Sequence, residues 1–229
     1  MCYTVFKARS KKSLRAGTRS KKFKLSGDLV NHRDRQIAMS VDEENGDEGE
    51  LLVITTGGTI DKDYPTKDGY AFVFSEESAA ERIIESLPLS GLHTVRYAEA
   101  CKKDSTDMDD DDAKRIFALA FNARARRIVV THGTDTMIDT ANRIHNALRQ
   151  PEGTKKTVVF TGALKPEHFK DSDAAFNLGG AIAATGCLPP GSVAICMGGM
   201  VIPAPLAERC PDTGRFQRVS EYKVKSLNR

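Results

Sequence analysis

This chain of 229 residues lacks the features that mark several large protein classes. It has no apolar run near the roughly 18 to 20 residues that a membrane-spanning helix needs, which excludes a helical membrane protein. Its five cysteines are odd in number and form no C-x-x-C pair, which disfavours a cysteine metal site and predicts a reducing compartment such as the cytoplasm. Its net charge is only +3, and its basic residues are not interleaved with aromatic ones, which disfavours nucleic-acid binding.

Metal-binding patterns are also scarce. The five histidines have no ligand spacing. Asp107 and residues 109–112 are acidic, but the glycine and the terminal glutamate of an EF-hand calcium loop are missing. Because acidic side chains stabilise the first turn of a helix, this run instead predicts a helix that starts at Asp110. These patterns therefore predict no metal site.

The composition divides the chain into three parts. Residues 1–49 have a basic start and an acidic end, which predicts a flexible, charge-segregated extension. An organellar targeting segment is the alternative interpretation of this part. Residues 50–200 alternate between apolar strand and helix patterns and predict one α/β domain. Residues 201–229 are too few for a second domain and are interpreted as a basic tail.

Strands and helices alternate through the middle part. The predicted strands are Leu51 to Thr55, Thr94 to Ala98, Ile128 to Val130, Thr157 to Phe160 and Ser192 to Met197. The predicted helices run from about Glu76 to Leu87, Asp110 to Arg124, Met137 to Arg149 and Ala174 to Thr185. This alternation predicts a doubly wound, mainly parallel, Rossmann-like sheet with helices on both faces. A functional site should lie at the carboxyl edge of such a sheet.

The first strand ends in a glycine-rich turn. Its sequence, Leu51-Leu-Val-Ile-Thr-Thr-Gly-Gly-Thr-Ile60, passes from apolar residues to small and hydroxyl-bearing ones. Gly57 and Gly58 lack a Cβ and permit a tight turn against a ligand, which displays the Thr59 hydroxyl as a candidate nucleophile. An ordinary loop without a catalytic role is the alternative interpretation.

A second strand ends in the same way, in Arg127-Ile-Val-Val-Thr-His-Gly-Thr-Asp-Thr-Met137. Thr134 and Asp135 stand where a helix should begin. Free backbone N–H groups there favour an anion or a developing oxyanion, whereas the carboxylate can instead hold a substrate ammonium. Both residues are also common helix caps. His132, inside the motif, is expected to make a structural hydrogen bond.

Together with two further segments, these motifs resemble the bacterial-type L-asparaginase family. The further segments are Asp104-Ser-Thr-Asp-Met108 and Phe160-Thr-Gly-Ala-Leu-Lys-Pro166, and all four agree with the family in order and approximate spacing. The resemblance covers roughly residues 50–200. It implies an enzyme that hydrolyses L-asparagine, a small amino-acid amide, through an acyl intermediate on a threonine. Such an enzyme is expected to self-associate and to need no cofactor. Glutamine hydrolysis, an amidase role in tRNA amidation and non-catalytic amino-acid binding are alternatives.

The resemblance also implies roles for individual residues. Thr59 matches the first catalytic threonine, Thr134 the second, which takes part in proton transfer, and Asp135 the group that grips the substrate's α-amino nitrogen. The expected substrate-binding residues are Gly58, Ser105 and Thr106, and Ser105 is expected to bind the α-carboxylate. The carbonyl of Ala163, a further substrate-binding residue, is expected to face the leaving amide. Tyr70 is expected to lie on a mobile loop that closes over the nucleophile. Tyr64 competes with Tyr70 for that last role.

Two departures from the family pattern are visible. Family members carry a lysine that forms a group with the second threonine and the aspartate, and alignment of the helix near Phe176 places Leu188 there. Lys170 or Lys165 could replace that lysine, although Lys165 more closely resembles a structural basic residue of the family. The second departure is length, because no segment here resembles the family's smaller carboxy-terminal domain, which contributes to a neighbouring subunit's site.

Cys101 stands shortly before the segment that carries Ser105. It can either line the site or pack in the core, and packing is the usual role of a buried cysteine.

Overall fold

The computed structural model describes residues 50–64, 71–88, 94–149 and 155–219. The predicted extension, Tyr70 and residues 220–229 lie outside the described residues. The strands are β1 (Glu50–Gly57), β2 (Lys62–Asp63), β3 (Val73–Phe74), β4 (Thr94–Lys103), β5 (Arg127–Thr131), β6 (Thr157–Thr161), β7 (Val193–Met197), β8 (Met200–Pro203), β9 (Ala207–Arg209) and β10 (Phe216–Arg218). The α-helices are α1 (Ala79–Glu85), α2 (Asp110–Asn122), α3 (Met137–Leu148) and α4 (Ala174–Cys187). No helix in the described ranges is long and apolar enough to span a bilayer.

Six strands form one sheet in the order β4-β1-β5-β6-β7-β8. The first five run parallel to their neighbours, and β8 runs antiparallel to β7 at the edge. The predicted α/β fold with a mainly parallel sheet is therefore confirmed. Every predicted strand and helix is present, and most of their ends differ from the predicted ends by a few residues.

Both faces of the sheet are buried because consecutive apolar residues fill the middle of each central strand. On β1, Leu52 and Ile54 belong to one core, and Leu51 and Val53 belong to the other. Helices α2 and α3 cover the first core, and α1 and α4 cover the second. Alternate side chains of a strand point to opposite faces, so a continuous apolar run is what a parallel sheet between two helical layers requires.

Side-chain caps fix the starts of two helices. Asp109 accepts the Asp112 N–H at 3.0 Å, and its own N–H donates to the Asp112 carboxylate at 3.0 Å, which forms a capping box at α2. The acidic run therefore starts a helix, as predicted. Ser78 caps α1 by accepting the Glu81 N–H at 3.2 Å.

The domain extends beyond the boundary that the sequence predicted at residue 200. Gly198 and Gly199 have φ values of 58° and 80° and form the two-residue turn of the β7–β8 hairpin. Ile202 on β8 and Phe216 on β10 are buried in the first core. Paired glycines suit two-residue hairpin turns, because both turn positions need a positive φ. They were a readable sign of this further strand.

Candidate functional site

The Thr59 turn (residues 57–61) follows β1 at the carboxyl edge of the sheet. Gly57 and Gly58 have φ values of 85° and 79°, in a region that side chains with a Cβ rarely adopt. A Cβ on Gly58 would lie 2.5 Å from the backbone nitrogen of Gly133. The two glycine-containing motifs are thus in direct backbone contact, and Thr59 begins a 3-10 helix beside that contact.

The Ser105 loop (residues 104–108) packs against the same glycine. A Cβ on Gly133 would lie 2.5 Å from the Ser105 Cβ and 2.6 Å from its Oγ. The Thr136 hydroxyl donates to the Ser105 carbonyl at 2.9 Å and fixes the loop to the second motif. Ser105 is only 2% exposed, and its Oγ has no hydrogen-bond partner among the described residues. An unpaired buried hydroxyl is costly, so this Oγ is suited to a ligand.

The loop after β6 joins the same cluster. The His132 N–H donates to the Thr161 carbonyl at 2.8 Å, and a Cβ on Gly162 would lie 2.4 Å from the His132 carbonyl. Asn177 on α4 donates to the Gly162 carbonyl at 2.9 Å and holds this loop in place. Ala163 comes next and is buried. The structure therefore gathers Gly58, Thr59, Ser105 and Ala163 around the second motif.

Thr134 and Asp135 precede α3 and do not cap it. The N-cap residue is Thr136, and its side chain makes no capping hydrogen bond. Thr134 is buried, whereas Asp135 is exposed. The helix-cap interpretation of Thr134 and Asp135 is therefore wrong.

A cation that the sequence did not reveal contacts both of these residues. The Arg209 Nη1 donates to the Asp135 carboxylate at 3.0 Å and to the Thr134 carbonyl at 3.1 Å. The Arg209 Nε donates to the Gly214 carbonyl at 3.0 Å, and the guanidinium lies 5.5 Å from the centre of the Phe216 ring. Together, these four contacts fix the positively charged guanidinium beside Thr134 and Asp135.

Comparison with known proteins identifies the family. The sequence profile described as "Asparaginase, N-terminal" matches residues 50–227 of this chain. The chain belongs to the asparaginase family. The match also runs past residue 200, in agreement with the packing of β8, β9 and β10.

Individual asparaginase-family proteins align over a part of their length. A probable periplasmic L-asparaginase from Haemophilus influenzae is 29% identical over 136 residues, which cover 58% of this chain and 37% of the relative. A glutaminase-asparaginase from Pseudomonas fluorescens is 28% identical over 141 residues, 59% of this chain and 38% of the relative. The thermostable L-asparaginase from Thermococcus kodakarensis has a similar structure, with a TM-score of 0.63 and 25% identity over 74% of this chain and 51% of that one. The chain thus spans roughly two fifths to half the length of these proteins.

The position predicted for the missing asparaginase-family lysine is wrong. Leu188 follows α4, and the adjoining residues lie at the start of β6: the Gly191 N–H donates to the Lys156 carbonyl at 3.1 Å, and the Val158 N–H donates to the Ser192 carbonyl at 2.9 Å. This is the amino edge of the sheet, opposite Thr134 and Asp135. A side chain at position 188 therefore cannot contact the second motif.

The two lysines proposed as replacements do not pair with the second motif either. Lys165 is exposed and pairs with Asp171, and Lys170 is exposed. Arg209 makes the contacts that the resemblance implies for a lysine. It was missed because it lies in the part that was interpreted as a tail, and because an arginine does not match the expected residue type.

His132 and Cys101 have structural roles. The His132 Nδ1 lies 2.8 Å from the Gly133 carbonyl, and burial lowers the pKa of this histidine, so the ring is neutral and donates this hydrogen bond, as predicted. The Cys101 thiol donates to the Thr56 carbonyl at 3.5 Å. Burial raises the pKa of Cys101 to about 12, so this residue packs as an inert thiol and the site-lining alternative is disfavoured.

The candidate tyrosines are not both described. Tyr70 lies outside the described residues. Tyr64 is exposed, and its ring centre lies 6.2 Å from that of Phe169. The choice between them for the mobile-loop role stays a prediction.

A groove adjoins the Ser105 loop. It has a volume of about 470 Å³, lies between α2 and α3, and is lined in part by Ser105, Thr106 and Thr136. Neither Thr59 nor Thr134 lines it, so the groove flanks the site and is not its centre. Among the described residues, no group of three or more His, Cys, Asp or Glu side chains could hold a metal ion.

Proposed function

We propose that this protein hydrolyses L-asparagine to L-aspartate and ammonia through an acyl intermediate on Thr59. The observation that carries the proposal is the contact of Gly58 with the Gly133 backbone, against which Ser105 also packs. This contact brings a candidate nucleophile, a buried unpaired hydroxyl and an exposed carboxylate to one edge of the sheet. Family membership and the names of the relatives support L-asparagine as the substrate.

The substrate's backbone groups suit the polar groups at this edge. Asp135 would bind the α-ammonium as a counter-ion, and the Ser105 hydroxyl would donate to the α-carboxylate. The Ala163 carbonyl would accept a hydrogen bond from the leaving amide, with Gly58 and Thr106 beside the substrate. Such an arrangement holds the side-chain amide carbon close to the Thr59 hydroxyl, and that proximity lowers the barrier to attack.

The reaction would proceed in two halves. The Thr59 oxygen adds to the amide carbon, its proton passes to the leaving nitrogen, and ammonia departs to leave an ester on Thr59. Water then attacks the ester carbon, and L-aspartate is released as the Thr59 hydroxyl regains its proton. A threonine hydroxyl is a weak nucleophile, so a neighbouring group must accept its proton. We assign this proton transfer to Tyr70 in the first half and to the Thr134 hydroxyl beside Asp135 in the second.

Arg209 has an electrostatic role in this proposal. A guanidinium keeps its proton at all accessible pH values, so Arg209 cannot take a proton from Thr134. It would instead orient the Asp135 carboxylate through the contact at 3.0 Å and hold the Thr134 carbonyl through the contact at 3.1 Å.

Arg209 also supports a second candidate function. Because it cannot accept a proton, the same set of residues suits a protein that binds an amino acid without turning it over. Glutamine hydrolysis is a further alternative within the family, and the glutaminase-asparaginase relative supports it. Binding alone does not separate an enzyme from a binder, so turnover has to be measured.

The decisive experiment is ammonia release from L-asparagine and, in parallel, from L-glutamine. We expect release by the wild-type chain to disappear in Thr59→Ala, while circular dichroism and L-aspartate binding remain. Ser172→Ala, a hydroxyl-to-methyl change on the surface loop before α4, is the matched control and should retain activity. A folded wild-type chain that binds L-aspartate but releases no ammonia from either amide would establish the binding function instead.

Self-association and a cytoplasmic location complete the proposal. The family resemblance supports assembly of several copies, and the described cysteines Cys101, Cys187, Cys196 and Cys210 are all free thiols, as in a reducing compartment. Light scattering of the purified chain at several concentrations tests the assembly. A monomer at every concentration would contradict it.

A further inference from the structure

An ion pair joins the chain segments that carry Thr59 and Ser105. Lys62 on β2 follows the Thr59 turn, and Asp104 immediately precedes Ser105. The Lys62 ammonium donates a hydrogen bond to Oδ2 of Asp104. The two side chains are 12% and 21% exposed, whereas those of a surface pair on α2, Lys114 and Asp111, are 63% and 86% exposed. The Lys62–Asp104 pair is therefore much less screened by water.

Further contacts hold both members of the pair. The Lys62 Nζ lies 4.3 Å from the centre of the Phe72 ring, a cation–π geometry. The Asp104 Oδ1 accepts hydrogen bonds from the N–H and the hydroxyl of Thr106, both at 3.3 Å. One carboxylate oxygen thus shapes the Ser105 loop, while the other ties the loop to β2. The Lys62 hydrogen bond is the main cause that lowers the pKa of Asp104, which keeps the carboxylate charged.

Isolated surface ion pairs contribute little, but a shielded pair with additional contacts restricts how two segments move. That restriction matters here because the segments carry the proposed nucleophile and the proposed carboxylate-binding hydroxyl. A misplacement of about 1 Å between such groups can lower activity by about a hundredfold.

We infer that Lys62 and Asp104 are positioning residues that set the Ser105 loop relative to Thr59 for binding of the amino-acid substrate. The inference rests on the proposed function, since it takes Ser105 as the group that binds the α-carboxylate. The Lys62–Asp104 pair acts through Ser105 and leaves the chemistry at Thr59 unchanged. Its loss should therefore raise KM for L-asparagine more than it lowers kcat.

The kinetic test uses Lys62→Met, Asp104→Asn, the double variant and Lys62→Arg, with Lys114→Met as the control from the surface pair. The amide introduced by Asp104→Asn can still accept from Thr106 but carries no charge for Lys62. We expect each single loss to raise KM by about tenfold, with kcat changed by less than about twofold, and the double variant to be no worse than either single one. Lys62→Arg and Lys114→Met should stay near the wild-type KM. Unchanged KM in Lys62→Met, or additive losses in the double variant, would overturn the inference.

Hydrogen exchange provides a second test that does not depend on turnover. In Lys62→Met the amides of residues 104–108 should exchange faster than in the wild type, whereas Lys62→Arg and Lys114→Met should leave them protected. Unchanged exchange in Lys62→Met would refute the inference even if the wild type is inactive. Faster exchange with an unchanged KM would reduce the pair to a purely structural role. Absence of ammonia release by the wild type, with the expected exchange result, would refute the enzymatic function alone.

Discussion

Arg209 is the side chain whose chemical identity matters most for the proposed mechanism. Its guanidinium is fixed by Gly214 and Phe216 and contacts both Thr134 and Asp135. A lysine at this position could deliver and accept protons, whereas an arginine supplies only a permanent charge and a rigid set of donors. The proton transfers of the two half-reactions therefore depend on other groups in this chain.

Replacement of Arg209 by lysine should introduce a pH dependence that the wild type does not have. As the introduced ammonium of the Arg209→Lys variant loses its proton, it becomes a base beside Thr134, so kcat should rise with pH between about 8 and 10 relative to the wild type. Arg209→Gln should raise KM by about tenfold at every pH, because Asp135 loses its orientation. Initial rates of ammonia release across this pH range provide the measurement.

Arg143→Lys is the control for this change. Arg143 also pairs with an aspartate, Asp110, at 2.7 Å, but at an exposed position between α2 and α3. Its conservative replacement should leave the pH profile unchanged. Coincident profiles for the wild type and Arg209→Lys would contradict the prediction that the introduced lysine acts as a base, and an unchanged KM in Arg209→Gln would refute the electrostatic role of Arg209.

Gly58 cannot acquire a side chain without loss of stability and activity. Its φ is 79°, and a Cβ would lie 2.5 Å from the Gly133 backbone nitrogen. We expect Gly58→Ala to lower the free energy of unfolding by about 2 to 3 kcal/mol and to abolish ammonia release. Gly179→Ala is the matched control, because it lies on α4 with no atom within 4 Å of the added Cβ, and it should be stabilising. Urea unfolding of both variants distinguishes a steric effect at Gly58 from a general effect of glycine replacement.

Two elements are coupled by a buried carboxylate. Asp61, in the 3-10 helix of the Thr59 turn, accepts the Ala79 N–H at the start of α1 at 2.6 Å. The side chain is almost fully buried, and burial raises its pKa from 3.8 to about 6 despite this hydrogen bond and the nearby charges of Arg82 and Lys102. The Thr59 turn is therefore held against α1 by the Asp61 carboxyl group, whose charge changes near pH 6.

This carboxylate makes stability depend on pH in a defined direction. Between about pH 4 and about pH 6 the folded chain keeps the Asp61 proton that the unfolded chain has released. The free energy of unfolding should therefore fall as the pH rises through this window, by up to about 3 kcal/mol. Asp61→Asn keeps an acceptor for Ala79 but has no charge to bury, so it should remove this contribution and be more stable than the wild type above pH 6. Urea unfolding at both ends of the window tests this; an unchanged pH dependence in Asp61→Asn would contradict it.

The elements that the sequence predicted are those with a strong local pattern. Continuous apolar runs predicted the parallel strands β1, β5, β6 and β7, and the acidic run predicted the start of α2, because these features depend on nearby residues alone. Strand β8 has a mixed pattern, with Met200 and Val201 exposed and Ile202 buried, and β9 and β10 are only three residues long. Only the paired glycines before β8 indicate that strand locally, and the existence of β9 and β10 depends on packing against the rest of the domain, which no local pattern encodes.

The residues of the candidate site also divide into those that a local pattern predicts and those that depend on packing. Thr59, Ser105, Thr134 and Asp135 follow strand ends, so a parallel sheet brings them to one edge once the strands are known. Arg209 reaches that edge only because β10 packs against β8 and the 3-10 helix before β9, residues 204–206, packs against α3. The Lys62–Asp104 pair joins residues that are far apart in sequence, and nothing in the composition selects this pair from the many lysines and aspartates of the chain.

Across the whole domain, one sheet supports two cores. Each central strand contributes side chains to both, as Leu51 and Leu52 do on β1. Neither core can lose its order while the other keeps its strands in place, so the described domain should unfold in one cooperative transition.

Buried thiols can report this transition. Cys101 and Cys196 are buried and burial raises the pKa of both, whereas Cys187 is exposed. A thiol reagent should label Cys187 in the native chain, and label Cys101 and Cys196 only when urea unfolds the chain, at one common midpoint. Mass spectrometry of the labelled peptides locates each reaction, and Cys187→Ser provides the control for native labelling. Separate midpoints for Cys101 and Cys196 would mean that the domain unfolds in stages.

The order of the chain also sets the order in which the proposed site is built on the ribosome. Thr59, Ser105, Thr134 and Asp135 leave the exit tunnel with strands that can already pair. Arg209 and the Phe216 ring that supports it emerge much later, with the β9–β10 hairpin. A nascent chain with β1 to β7 exposed therefore carries the proposed nucleophile, but Thr134 and Asp135 still lack the Arg209 cation, and ribosome-bound chains should gain activity only after Phe216 has emerged.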